Sequence, residues 1–153
     1  MAIIEGRDYV LARSMTYTGS GGVGKGCLAG TMELLLLLPS KVHRGGGRRI
    51  EEVDIYLQGE SVPVYLENFL RDPGRRPVDL NQGLRDLAEK VDGSRLIDLS
   101  RVRRLKVRTS FFSRGIYLSE NNSGPGWTGL PLMKQDAAAF RNFYQGHPAS
   151  AGT

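Results

Sequence analysis

The stretch Gly19-Ser20-Gly21-Gly22-Val23-Gly24-Lys25-Gly26 fits seven positions of the phosphate-loop pattern G-x-x-x-x-G-K-[ST]. In that pattern backbone N–H groups cradle phosphates, the lysine reaches them, and the hydroxyl of the eighth residue binds Mg²⁺. Gly26 stands at the eighth position and has no hydroxyl. A working loop also needs an apolar strand feeding it and a helix leaving it. Here Met15-Thr16-Tyr17-Thr18 feed it, and the segment that leaves contains Gly30 and then a leucine block. Asp98 in RLIDLS is the passable candidate for the companion acid of the metal. The sequence therefore favours a turn over a nucleotide site, in which Gly24 and Lys25 would be the phosphate contacts. A glycine-rich loop can also hold a non-nucleotide anion on its backbone N–H groups.

Other chemistry is sparse. Cys27 is the single cysteine, so no intramolecular disulfide forms, and with only His43 and His147 besides, a Cys/His zinc site lacks a fourth ligand. Cys27 reads as a small buried apolar residue and His43 as a loop histidine. Asp54, Asp98 and Glu120 lie on or near expected strand ends without pairing, and no G-x-S-x-G signature occurs. No catalytic constellation, metal or cofactor is expected.

Charge offers more. Lys and Arg number 21 against 16 Asp and Glu, a net charge of +5, which favours anionic partners at long range. The cations cluster in RGGGRR (Arg44, Arg48, Arg49), RDPGRR (Arg71, Arg75, Arg76) and SRVRRLKVR (Arg101 to Arg108). Loop clusters of this kind usually make a solvated surface. Arg104, Lys106 and Arg108 form one parity of a strand and could track phosphates, with Phe111, Phe112, Tyr117 or Trp127 stacking on bases. The plainer reading puts those aromatics in the core.

The elements that would position these residues follow from periodicity. DYVLARSMTYT reads as a strand, and CLAGTMELLLLL as a second one covered on both faces and closed by Pro39. Residues Thr18 to Gly26 are the long glycine-rich loop between them. Val53, Ile55 and Leu57 alternate with polar residues as in a half-buried strand. Val62, Tyr65, Leu66, Phe69 and Leu70 form a helical stripe that Ser61 can cap and Asp72-Pro73-Gly74 stops. Leu80, Leu84, Leu87 and Val91 form another, with Asp79 as cap and Gly93 beyond its end. A three-strand meander follows, with an Asn121-Asn122-Ser123-Gly124 turn. QDAAAFRNFYQG then gives a C-terminal helix over about 135–145. Residues 1–146 read as one globular domain, of a length that buries roughly two-thirds of its unfolded surface, and 147–153 as a flexible tail.

The order SRLIDLSRVRRLKVR, SRGIYLSE, GWTGLPL, DAAAFRNFYQG, spanning Arg95 to Gly146, resembles the closing half of pleckstrin-homology-like and GRAM-type domains. GTMELLLLLPSKVHR resembles the strand that carries "G-x-L-x-L-T-x-x-R" in them. Two departures stand out: the final helix carries Phe140 and Phe143 in place of the family's tryptophan, and about 61–92 is a two-helix insertion. The resemblance implies an α+β fold, an antiparallel barrel or strongly bent sheet plugged by the C-terminal helix, acting as a binding or docking module. It also places basic residues near the first hairpin: Lys25 at its tip and Lys41, Arg44, Arg48 and Arg49 in the next loop.

The expected function is non-enzymatic docking onto a protein partner. The alternative is capture of an anionic ligand, an acidic membrane surface or nucleic acid, by Lys25, Lys41, Arg44, Arg48, Arg49, Arg104, Lys106 and Arg108. A nucleotide-binding protein is the third reading. MAIIEGRDYV carries an acid and lacks a continuous apolar core, and Leu34 to Leu38 is far shorter than the roughly 20 residues of a membrane span, so a cytoplasmic setting is the default.

Overall fold

The computed structural model describes residues 3–19, 22–44, 51–75 and 79–150. The fold is α+β, with antiparallel strand pairing throughout its sheets and three α-helices among the described residues. Strands β1 (Val10–Gly19), β2 (Gly22–Gly30), β3 (Leu34–Arg44) and β4 (Glu51–Asp54) form a curled meander. Strands β5 (Tyr56–Leu57) and β6 (Glu60–Ser61) make a small hairpin whose connecting Gln58 and Gly59 both have positive φ, 50° and 82°. That backbone twist suits a two-residue hairpin.

Helices α1 (Val62–Arg71) and α2 (Leu80–Lys90) follow, and then β7 (Arg95–Asp98) returns to the first sheet. The free edge of β3 is shared. Its first half pairs with β7, Leu34 to Leu37 against Asp98 to Arg95, and its second half with β4, Lys41 to Arg44 against Asp54 to Glu51. The chain thus leaves this edge, lays two helices over one face, and comes back to the same edge. A second sheet, β8 (Arg104–Arg108), β9 (Gly115–Ser119) and β10 (Trp127–Pro131), precedes α3 (Lys134–Tyr144).

The five leucines explain the layering. Successive residues of a strand point to opposite faces. Leu34, Leu36 and Leu38 enter a core with Leu66, Phe69 and Leu84 of the α1–α2 layer, while Leu35 and Leu37 enter another with Ile116, Leu118, Phe140 and Tyr144 of the meander and α3. All five are at most 1% exposed. Arg13 of β1 also binds the α1 side chain Glu67 at 3.1 Å and Glu5 at 3.0 Å. The guanidinium hydrogen bond is the largest influence holding the Glu67 carboxyl below its ordinary range.

Several expectations need correction. Gly19 and Gly22 to Gly26 of the glycine-rich stretch are strand, since β1 and β2 stay paired out to Gly19 and Gly22, and Gly24, Lys25 and Gly26 pair with Tyr17, Thr16 and Met15. The single strand expected over CLAGTMELLLLL is two, because Thr31 breaks it: its N–H bonds Leu34 O, and its hydroxyl accepts from the N–H groups of Glu33 and Leu34. Pro39 lies inside β3, at the irregularity where Lys25 faces Lys41 and Gly26 faces Pro39, one of the few places where a sheet tolerates a residue without an N–H. The strand expected over 53–58 breaks at Ile55, whose N–H bonds Ser40 O. Ser61 precedes α1 without a side-chain cap bond, whereas Asp79 caps α2 by accepting from Gln82 N. The expected loose tail is packed at 147–150, where His147 and Ala149 are buried and a 3-10 turn spans Pro148–Ser150.

The β2 register also settles Cys27. Arg13 and Ser14 bulge opposite it, and its thiol donates to Arg13 O at 3.2 Å. Burial pushes that thiol up to about 12. Since the thiolate is the reactive form, Cys27 in the folded chain is expected to resist iodoacetamide at pH 8 and to react fully in guanidinium. Alkylation at equal rates in both states, read by intact mass, would contradict this burial.

Candidate docking face

The meander has a dry face and a wet one. On β8, Leu105 is buried against the core while Arg104, Lys106 and Arg108 lie on the other face. Register then lines up three rows across the outer face: Arg104–Ser119–Trp127, Lys106–Tyr117–Gly129 and Arg108–Gly115–Pro131. The Arg104 and Lys106 charges stand 4.3 and 4.4 Å from the Trp127 ring centre, and Arg108 stands 5.5 Å from that of Tyr117. Gly129 makes room for Tyr117, because a Cβ there would come within 2.8 Å of its ring. These rings therefore lie under cations on the surface instead of in the core. That occupancy disfavours base stacking on Trp127.

Arg104 is already used. Its guanidinium donates to Asn121 O at 2.8 Å, Gly124 O at 2.7 Å and Ser119 Oγ at 3.1 Å, which fixes the β9–β10 turn. Lys106 and Arg108 make no ion pair among the described residues and face outward.

Beyond Arg108 the β8–β9 turn is closed by Ser113 N–H on Ser110 O at 3.2 Å and by a 2.8 Å contact between the two serine hydroxyls. Tyr117 Oη donates to Ser113 O at 2.9 Å. This clasp presents Phe111 and Phe112 to solvent, 79% and 95% exposed, edge to face with ring centres 5.2 Å apart. Arg114 stands 6.0 Å from the Phe111 ring, and its Nε is buried without a hydrogen-bond partner. Isolated surface phenylalanines are ordinary, but an adjacent pair at a hairpin tip between Arg108 and Arg114 is a concentrated apolar feature. Only one acid, Glu120, lies between Arg104 and Pro131.

Of the anion site expected at the first hairpin, the two lysines whose side chains are described both sit beside acids. Lys25 is on β2 and not at a tip, 3.2 Å from Glu52; Lys41 is on β3 and not in a loop, 3.9 Å from Glu52 and 3.7 Å from Asp54. The acids of β4 thus neutralise both lysines. Arg44 ends β3 opposite Glu51, with its side chain outside the described atoms, and Arg48 and Arg49 lie outside the described residues. Asp98 accepts from Ser100 N and Oγ at 3.0 and 2.7 Å, a turn-forming role.

Among the described residues no three His, Cys, Asp or Glu side chains converge to hold a metal ion, and no helix is long and apolar enough to cross a membrane. No family model, curated protein or solved structure matches this chain.

Proposed function

We propose that this chain is a non-enzymatic docking module of pleckstrin-homology-like architecture that attaches to acidic membrane surfaces through the β8–β9 tip. The order of a curled meander, a three-strand meander and a closing helix supports the architecture, with α1 and α2 as an insertion on the outer face of the first sheet. The observation that carries the function is the Phe111–Phe112 pair, flanked by Arg108 and Arg114 with Lys106 behind. An aromatic pair seated at the headgroup boundary removes apolar surface from water, worth at most about 1.5–3 kcal/mol per ring. Each cation near an anionic leaflet adds about 1 kcal/mol. Together these give weak, reversible, salt-sensitive attachment.

Sedimentation with vesicles tests this reading. The protein is expected to pellet with phosphatidylcholine vesicles containing about 30% phosphatidylserine, less with phosphatidylcholine alone, and less at raised salt. Phe111→Ser with Phe112→Ser, and separately Lys106→Ala with Arg108→Ala, are each expected to weaken binding about tenfold or more. The melting temperature stays unchanged for the Phe pair, since both rings are exposed and outside the core. Unaltered pelleting of the Phe variant defeats the reading. Failure of the wild type to pellet would also defeat it and leave the exposed rings to a groove on a protein partner.

A further inference from the structure

We infer that the cleft where the β2–β3 turn, α2, the 3-10 turn after β7 and the segment after α3 meet is a binding site for a small amphipathic carboxylate. Its volume, about 740 Å³, falls within the range of pockets that hold small ligands.

The cleft is preformed because three of its walls are fastened to the fourth, the β2–β3 turn. Three consecutive carbonyls, Thr31 O, Met32 O and Glu33 O, accept from Tyr144 Oη at 2.9 Å, His147 Nε2 at 3.0 Å and Leu99 N at 2.8 Å. The Thr31 hydroxyl donates to Asn81 Oδ1 of α2 at 2.6 Å. Ala149 N–H donates to His147 Nδ1 at 3.0 Å, so Nδ1 is the acceptor and Nε2 carries the proton it gives to Met32. Both ring nitrogens are thus committed to the wall. A site held this way loses little freedom when a ligand enters.

Its chemistry is two-sided. Met32, 42% exposed, together with Leu99, Val102, Pro148 and Ala149 supplies apolar lining. Arg85 and Arg103 also line the cleft, and neither side chain makes a hydrogen bond or ion pair among the described residues. Two carboxylates oppose them. Asp98 is engaged by Ser100, and Glu33 faces the same space. With two cations against two anions, the cleft tolerates a single negative charge placed toward Arg85 and Arg103 better than a multiply charged phosphate. The occupant is therefore a medium-chain or aryl carboxylate, its body over Met32 and Val102.

Decanoate, titrated as monomer into ¹⁵N-labelled full-length protein, tests the site. Saturable shifts are expected at the amides of Met32, Val102, His147 and Ala149. Arg85→Ala and Arg103→Ala are each expected to weaken binding about tenfold, with decanol weaker than decanoate by a similar factor. Spectral dispersion checks that both variants remain folded. The Phe111→Ser, Phe112→Ser protein should bind decanoate normally, which separates this site from the membrane tip. Absence of saturable shifts up to about 5 mM, affinity unchanged in both arginine variants, or shifts confined to the tip would each overturn the assignment.

Discussion

Gly26→Ser, the change that would complete the phosphate-loop pattern, is expected to destabilise the fold by about 3 kcal/mol instead of creating a nucleotide site. A Cβ on Gly26 would sit 2.5 Å from the backbone oxygen of Leu38 and 3.1 Å from the Tyr17 ring. A backbone oxygen in the middle of a paired sheet cannot swing aside as a side-chain end can. Either β2 and β3 separate locally, losing their pairing, or the contact stays compressed. The added hydroxyl is also placed in a buried position. For a chain of this length the cost corresponds to a fall of about 6–12 °C in melting temperature. Lys25→Ala, one residue away, removes an exposed pair with Glu52 and should cost no more than about 1 kcal/mol. Neither the natural chain nor the Gly26→Ser variant should gain thermal stability from ATP with Mg²⁺. A Gly26→Ser protein as stable as the parent, or an ATP-dependent shift in either, would mean that this stretch does not run as the strand described above.

Leu36→Ala and Leu37→Ala should each cost about 3–4 kcal/mol in chemical denaturation, because each empties a leucine-sized space that is at most 1% exposed. The two neighbours act on opposite sides. Leu36 belongs to the core under α1 and α2, and Leu37 to the core under β8, β9 and α3. Native-state hydrogen exchange separates them: Leu36→Ala should loosen α1 and α2 most, and Leu37→Ala should loosen α3 and the meander most. Costs below about 1 kcal/mol at either position would contradict a leucine strand buried on both faces. The contrast with Phe111 and Phe112 is instructive, since truncating those larger rings should leave stability unchanged.

The two middle helices were legible because their apolar residues recur at helical spacing within a dozen residues, with Asp79 and Pro73 marking ends. The parity of β8 was legible for the same reason: alternation places Leu105 and Arg104 on opposite faces whatever the strand pairs with. An unbroken run of leucines likewise announced a strand with two dry sides. These are properties of neighbours in sequence, and local geometry converts them directly into element type and face.

What the chain could not announce were contacts between residues far apart in it. Gly24 and Gly26 look like loop glycines, yet they lack side chains because Tyr17 and Leu38 O occupy the space a Cβ would need. Lys25 looks like an anion ligand until β4 brings Glu52 beside it. Phe111 and Phe112 have the composition of core residues, and only closure of the β8–β9 turn puts them at its tip. The walls of the carboxylate cleft lie as far apart as Met32 and His147, joined through carbonyls whose partners depend on how α3 crosses the first sheet. Side-chain pattern sets what each segment is; which segments meet, and so which charges are cancelled and which rings stay wet, is a matter of long-range pairing that only the tertiary structure decides.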